Sequence, residues 1–411
     1  MKNFGEEIVV LDKFVPGGQV FATLADGRKV FVWGALPHET AKIRIFKTKK
    51  SYAEAVATEI LTPSPERVEP RDDCYLATSP WQILDFAAEN RAKSDLVRDA
   101  FAQEKIELEN SREIATDDRA YFYRNKMEYS LWWQDFADAP ANLRGEFSAA
   151  ETRRGGKIFL AFHRRGSHQK IPIVQSSIEL PAIFAAAQTI VAQLNSQKSE
   201  ARNYQSLLIR ANQNGEVSSA LFENNRSHPT MKNLRDTILG SEFSYSPNGF
   251  FQINLPVYEL ALDEISRNLG DAKKVVDLYA GVGTIGLSVA RDRELILIET
   301  DKNAFREMTN NIPRGAKNIR GICAKSEDSL EFIAPDATVI VNPPRAGLDQ
   351  KVVAKILAAR PRKVIYLSCN PATQARDVAK LLAKYQIISQ QAFNFFPRTP
   401  HIENLVVLGA I

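Results

Sequence analysis

The chain has 411 residues, 44% of them hydrophobic and 25% charged, and carries a net charge of +4. That length suits two or three domains with cores of their own, and the composition is that of a soluble globular protein. No apolar run approaches the roughly 20 residues needed to cross a bilayer, and a charge this small excludes basicity alone as an argument for nucleic acid.

The first residues, MKNFGEEIVVLDKF, lack a signal-peptide core, and three unpatterned cysteines suit a reducing compartment. A cytoplasmic protein with no membrane partner is expected. From residue 7 to 61, the stretches EIVVLDKF, QVFATLADGRKVFVW, AKIRIFKTKK and YAEAVATEIL alternate apolar and polar residues between turn signals. Five short strands in so few residues predict a small closed barrel of the oligonucleotide-binding kind over residues 1–63. Its KTKKSY edge sets Lys47, Lys49 and Lys50 beside Tyr52, a mixture that suits phosphate contact and base stacking but also an ordinary solvated hairpin. LTPSPERVEPR, residues 61 to 71, reads as a linker. A mixed α+β region fills 64–240, with a helical pattern in LDFAAENRAKSDLVRDAFAQ and strand patterns in KMEYSLWW, KIFLAFHRR, QSLLIRAN and EVSSALF.

Residues 241–411 form the third domain. KKVVDLYAGVG, ELILIETD, TVIVNPP, KVIYLSCNP and ENLVVLGAI are apolar strands, and helical patterns lie between the earlier ones. This is the pattern of a doubly wound, Rossmann-like α/β sheet, which binds its ligands at the carboxyl ends of the strands. Asp277, the glycines, Glu299, Asn342 and Cys369 all fall at such ends. Gly281, Gly283 and Gly286 spell G-x-G-x-x-G between a strand and a helix. The motif fits a nucleoside cofactor, a nicotinamide included, or a plain structural turn. Asp277, four residues before the loop, and the rigid Asn342-Pro343-Pro344 shelf favour S-adenosyl-L-methionine.

These residues resemble the RNA 5-methyluridine methyltransferases, which methylate uridine in ribosomal or transfer RNA. The resemblance rests on DLYAGVGTIGL, ILIETD, NPPRAGL, YLSCNPATQARD and FFPRTPHIENLVVL, with YRNKMEYS, FHRRGSHQKI and SPNGFFQIN upstream. It makes the N-terminal barrel similar to the TRAM domain of the ribosomal-RNA members and 64–240 a central RNA-binding domain. It implies Cys369 as nucleophile and Glu403 as general base. It also implies Gln252, Asp277, Tyr279, Gly281, Gly283, Glu299 and Asn342 around the cofactor and uracil, with Arg124 to Glu128 and Phe250-Phe251 shaping the RNA-facing cleft.

The chemistry requires those residue types. C5 of uracil is too weak a nucleophile to take a methyl group from a sulfonium unaided. A thiolate added at C6 makes the ring an enolate, and a base must then remove the C5 proton. Asn370-Pro371 reads as an N-cap and first helical residue, so Cys369 is expected at a helix N-terminus that favours thiolate. The target base must leave its stack, which implies flipping or a loop target.

Two departures stand out. Where many relatives carry four cysteines for an iron–sulfur cluster, only Cys74 remains, with Ser79-Pro80-Trp81 and Gln175, Ser176 and Ser177 at the other places; no cluster and no other metal is expected. Asn342 stands where uridine-methylating relatives usually have Asp, which leaves cytosine C5 as an alternative target. The reading is therefore a monomeric methyltransferase acting on ribosomal RNA, with transfer RNA, cytosine or a non-catalytic RNA-binding role as alternatives.

Overall fold

The computed structural model describes residues 5–108, 112–138, 145, 148–153, 155–167, 169–196, 203–224, 226–229 and 231–411. Residues 1–4 of the first stretch and His168 of FHRRGSHQKI lie outside them. The chain forms two compact units, Met1–Asp85 with Ala120–Lys232, and Phe86–Arg119 with Asn233–Ile411.

The first unit begins with β1 (Glu6–Val10), β2 (Val20–Thr23), β3 (Lys29–Trp33), β4 (Thr40–Thr48) and β5 (Tyr52–Thr62), in the order β1-β4-β5-β3-β2. Alternation buries one face of each strand: Val30 and Val32 of β3, Ala41, Ile43 and Ile45 of β4 and Ala53 and Ala55 of β5 fill the centre. Beyond β1 the chain bends onto β2. Asp12 N donates to Phe21 O and Phe21 N to Lys13 O, which closes the sheet into the expected barrel. In the LPHET turn His38 adopts a left-handed φ of 66°, a conformation that favours glycine. Of the basic edge, Lys47 is held by Glu54 at 2.5 Å and Tyr52 packs edge-on against Phe31.

The 61–71 stretch is not a loose linker. Arg67 Nε and Nη2 donate to the buried Glu39 carboxylate at 2.6 and 2.7 Å, and Ser64 N donates to it at 3.0 Å. A charged pair with fully matched geometry ties the prolines to the barrel. Six further strands follow: β6 (Lys126–Asp135), β7 (Gly156–His163), β8 (Lys170–Pro172), β9 (Ser206–Ala211), β10 (Val217–Glu223) and β11 (Arg226–His228). They form an antiparallel sheet, β11-β10-β9-β6-β7-β8, with the helix Pro181–Ser196 against β7 and β9.

The positions where a cluster would need thiolates carry a hydrogen-bonded polar knot instead. Asp72 accepts from Ser177 N (2.9 Å), Ser177 Oγ (2.7 Å) and Gln82 Nε2 (2.8 Å), and Gln82 Nε2 also donates to Ser79 Oγ. Burial pushes the Cys74 thiol up to about 12, the opposite of what a metal-bound thiolate needs. These residues do not fit an iron–sulfur cluster. Among the described residues no group of three or more His, Cys, Asp or Glu is arranged to hold a metal ion.

The second unit starts with α1 (Phe86–Gln103) and resumes with the hairpin of β12 (Leu234–Ile238) and β13 (Ser241–Tyr245). Then come α2 (Leu255–Leu269), β14 (Lys274–Leu278), α3 (Thr284–Val289), β15 (Glu294–Glu299), α4 (Lys302–Asn311) and β16 (Ile319–Cys323). It ends with β17 (Ala337–Val341), α5 (Gln350–Ala359), β18 (Lys363–Ser368), α6 (Pro371–Leu381), β19 (Tyr385–Phe393) and β20 (Glu403–Ala410). The sheet order is β16-β15-β14-β17-β18-β20-β19. The first five strands run parallel, as the alternation of apolar strands and helices demands. β19 and β20 pair antiparallel with each other, and β20 antiparallel with β18, because they are joined by a loop rather than a helix.

The units do not follow the sequence boundaries at 63 and 240. Residues 86–119 and the 234–245 hairpin belong with the C-terminal sheet. Ala115 N donates to Ala392 O and Asn394 N to Ala115 O, so the segment after α1 extends the β19 edge.

Candidate active site

β18 and β20 lie side by side with Ser368 opposite Asn404. One step further along this register sets Cys369, just past the end of β18, opposite Glu403, the first residue of β20. Two residues distant in sequence thus meet because antiparallel pairing fixes which atoms face each other. Gln374 of α6, fully buried, strengthens the link. Its Nε2 donates to Tyr366 O (2.8 Å) and Asn404 O (3.0 Å), and its Oε1 accepts from Asn404 Nδ2 (2.8 Å).

Cys369 is half-buried and Glu403 buried. Burial pushes the Glu403 carboxyl up to about 8, with the Arg345 guanidinium pulling the other way. Burial also raises the Cys369 thiol above its ordinary value, and the nearby Glu403 adds to that, while Arg345 opposes it by charge and by a hydrogen bond. A helix N-terminus that favours thiolate would act alongside Arg345 and against this desolvation. Pro371 does open α6, but the Asn370 side chain makes no cap; its Nδ2 donates to Arg345 O at 2.9 Å. Thr373 Oγ1 donates to the same carbonyl. Arg345, in NPPRAGL, is absent from the residues that the sequence points to, yet it is the cation that the Cys369-bearing turn holds in place. Its Nη2 also lies 3.3 Å from His401 Nδ1.

A cavity of about 470 Å³ opens at the carboxyl ends of β14 and β15. Tyr279, Ile298, Glu299, Thr300, Ser326 and Leu348 are among the residues lining it. Of the seven residues assigned to the cofactor, Tyr279 and Glu299 line this cavity, and the other five do not. Gly281 N donates to Glu299 Oε2 at 2.8 Å, which joins the glycine loop to the acid on the next strand. Gly281 and Gly283 have φ of 59° and 86°, left-handed turns that need glycine. Asp277 is fully buried; its Oδ2 accepts from Gly286 N at 2.9 Å, and burial pushes it up to about 7. It steadies the loop from below. Gln252 is buried, and Asn342 is half-buried just beyond β17. Phe251 stacks on Tyr245 at 3.8 Å and belongs to the core, so of the Phe250-Phe251 pair only Phe250, 75% exposed, faces solvent. The Arg124–Glu128 segment lies in the first unit, where Arg124 Nε donates to Lys126 O.

The cavity suits a nucleoside cofactor. Its size is within the few hundred Å³ usual for such sites. It offers a carboxylate to ribose hydroxyls at Glu299, apolar walls from Ile298 and Leu348, and a loop whose glycines leave room above the backbone: a Cβ on Gly281 would meet nothing within 4 Å.

Comparison with known proteins agrees. Residues 328–411, which carry Arg345, Cys369 and Glu403, match the family model described as tRNA (Uracil-5-)-methyltransferase, and residues 6–58 match the TRAM domain. The chain thus carries a TRAM domain and a tRNA (uracil-5-)-methyltransferase family domain, the combination that the RNA 5-methyluridine methyltransferase reading requires. By class it is an RNA (uracil-5-)methyltransferase of the class I, S-adenosylmethionine-dependent type. Curated relatives include an "Uncharacterized RNA methyltransferase" of Treponema denticola, 28% identical over 97% of this chain and 98% of that one. Another, of Bacillus anthracis, is 27% identical over 92% and 91%. Among solved structures, the tRNA (uracil-54, C5)-methyltransferase of Pyrococcus abyssi, in complex with S-adenosyl-L-homocysteine, aligns with a TM-score of 0.75 and 19% identity. The alignment covers 98% of this chain and 99% of that one and shows a shared fold.

Proposed function

We propose that the protein methylates C5 of a uridine in RNA through a covalent adduct between Cys369 and C6 of the base. The observation that carries this reading is the β18–β20 register, which sets Cys369 against Glu403 with Arg345 beside both. Glu299 and Tyr279 would hold S-adenosyl-L-methionine, with Asp277, Gly281 and Gly283 shaping the loop beside it and Gln252 and Asn342 nearby. When bound, that cofactor supplies an electrophilic methyl group.

The side chains divide the remaining work. Arg345 stabilises the Cys369 thiolate, whose addition to C6 pushes electron density onto C5. Once C5 carries the methyl group, its proton passes to the Glu403 carboxylate. The C5=C6 bond re-forms, and the C6–S electron pair returns to Cys369. A carboxyl with a value near 8 is well matched to accept that proton at neutral pH and release it again.

Ribosomal RNA is the first substrate to test, on the strength of the TRAM barrel. A specific observation supports transfer RNA as the second. The fold of the P. abyssi enzyme, whose name gives a tRNA uracil as its target, extends over nearly all of this chain, barrel region included. Incubation with labelled S-adenosyl-L-methionine and unmodified ribosomal or transfer RNA, followed by digestion, should yield labelled 5-methyluridine. Labelled 5-methylcytidine would instead support the cytosine alternative raised by Asn342, and label in neither RNA would overturn the reading. RNA containing 5-fluorouridine should trap a protein–RNA adduct, because fluorine cannot leave as a proton does. Cys369→Ala should abolish that adduct.

A further inference from the structure

The loop 394–402 joins β19 to β20 and ends on Glu403. It is held from outside by two charged residues of α1, more than 300 positions earlier in the chain. Lys93 and Glu89 have no exposed side-chain surface and pair at 2.8 Å. The three N–H bonds of Lys93 are all used: besides Glu89 they reach Asn394 Oδ1 at 2.6 Å and Phe396 O at 3.0 Å. Glu89 accepts from Asn394 Nδ2 at 3.1 Å and, with both oxygens, from Arg398 N at 2.9 and 3.1 Å.

The contacts then run on toward the reacting pair. Phe396 O also accepts from Thr399 N (3.2 Å) and Thr399 Oγ1 (2.8 Å), and Thr399 Oγ1 accepts from His401 N at 3.3 Å. The His401 ring meets Phe396 edge-on at 5.7 Å and lies against Arg345, the cation beside Cys369 and Glu403. Arg398 itself sits at φ 64°, a left-handed conformation that an arginine keeps only when its surroundings impose it. Burying two charges is costly, and a hydrophobic pair could fill the same space. A fold that needed only packing here would gain little from an ion pair whose free valences all point at one loop.

We propose that Glu89 and Lys93 are positioning residues for the proton-removal step, fixing the 394–402 loop so that the Glu403 carboxylate faces C5 of the base. The inference rests on the function proposed above. It assigns to α1 a part in one half of the reaction and leaves the other half, addition of Cys369 to C6, to the β18 end.

The test uses the full chain with the paired substitution Glu89→Gln and Lys93→Met. These keep size and remove both charges together; Arg398, whose Nη1 lies 3.7 Å from Glu89 Oε2, loses that longer contact as well. Lys93→Met alone leaves the buried Glu89 carboxylate with only the longer Arg398 contact at 3.7 Å as an ion pair and is expected to lower the melting temperature; adding Glu89→Gln should recover part of that loss. In the folded double variant, adduct formation with 5-fluorouridine RNA and affinity for S-adenosyl-L-methionine should match the wild type. Turnover on ordinary uridine RNA should fall on the order of tenfold to a hundredfold, the scale of a displaced catalytic group. A methylated, denaturation-resistant protein–RNA complex should accumulate, because its C5 proton is removed slowly. Wild-type turnover in the double variant would overturn the proposal. So would parallel loss of 5-fluorouridine adduct and turnover, which would mean general damage. A wild-type protein that methylates no uridine would overturn the underlying reading, and this inference with it.

Discussion

At the scale of single residues the site is a balance between burial and one cation. Glu403 has its carboxyl raised from an ordinary value near 4.5 to about 8. An unfolded chain would release this proton near pH 4.5 and the folded one near 8, so the folded state holds the extra proton between those values. Stability from this group is complete below about 4.5 and is lost as pH rises through 8. Glu403→Gln should therefore melt above the wild type at pH 8, by an amount on the order of a few kcal/mol, with the difference shrinking toward pH 4.5. The same variant should leave Cys369 able to form its adduct but stop proton removal. Equal melting at pH 8 and pH 4.5 would show that the carboxyl is not strained by burial. Arg345→Gln removes the group that lowers both Cys369 and Glu403. Arg345 is exposed, so water screens part of its effect. A pH–rate profile should move to the alkaline side by about one unit or less. Cys369 and Glu403 were legible in the sequence because local motifs surround them. Arg345 was not, since what it touches depends on how β17, β18 and β20 lie side by side.

At the scale of elements, β14, β15, β17 and β18 were legible because buried strands leave apolar runs, whereas β16, partly exposed, leaves none. The antiparallel end was not: a strand such as ENLVVLGAI reads the same whichever way it pairs, and direction is set by the 394–402 connection. The glycine loop shows how tightly one element can bind another. A Cβ on Gly286 would lie 2.6 Å from Leu297 Cδ2 and 3.0 Å from Asp277 Oδ2, both on buried strands. Nothing there can retreat without opening β14 from α3. Gly286→Ala should destabilise the protein by about 1–3 kcal/mol, the range for overpacking a core, as read from chemical denaturation. It should also weaken binding of S-adenosyl-L-methionine measured by calorimetry, because Asp277 would no longer hold Gly286 N. Unchanged affinity would mean that the loop keeps its shape without that bond.

At the scale of the whole molecule, the boundaries read from composition miss a discontinuity. Periodicity identified the helix over 86–103 correctly but could not say what it packs against, because its partners lie some 300 residues away. The second unit is completed by 86–119 through several independent contacts. Lys93 and Glu89 hold the 394–402 loop, and Ala115 bonds along the β19 edge. Gln391 Nε2 donates to Glu113 O at 2.5 Å, and Arg112 reaches Glu264 of α2 at 2.6 Å. The Arg112 bridge is half exposed on one side and contributes little by itself. The bonds at Ala115 and Asn394 matter more, since removing their partners would leave backbone and amide groups of the loop unpaired, at about 1–3 kcal/mol each where they are buried. A fragment of residues 241–411, the domain as sequence delimits it, would lack all of these and β12, the partner strand of β13. It should be poorly soluble and give a broad thermal transition, with the loop before Glu403 exchanging its amide hydrogens rapidly. A fragment of 233–411 mixed with a peptide of 86–119 should recover a sharper transition and slow exchange at 394–402. If 241–411 alone melts sharply with that loop protected, the N-terminal segment is an ornament on the fold rather than a part of it, and the positioning role of α1 falls as well.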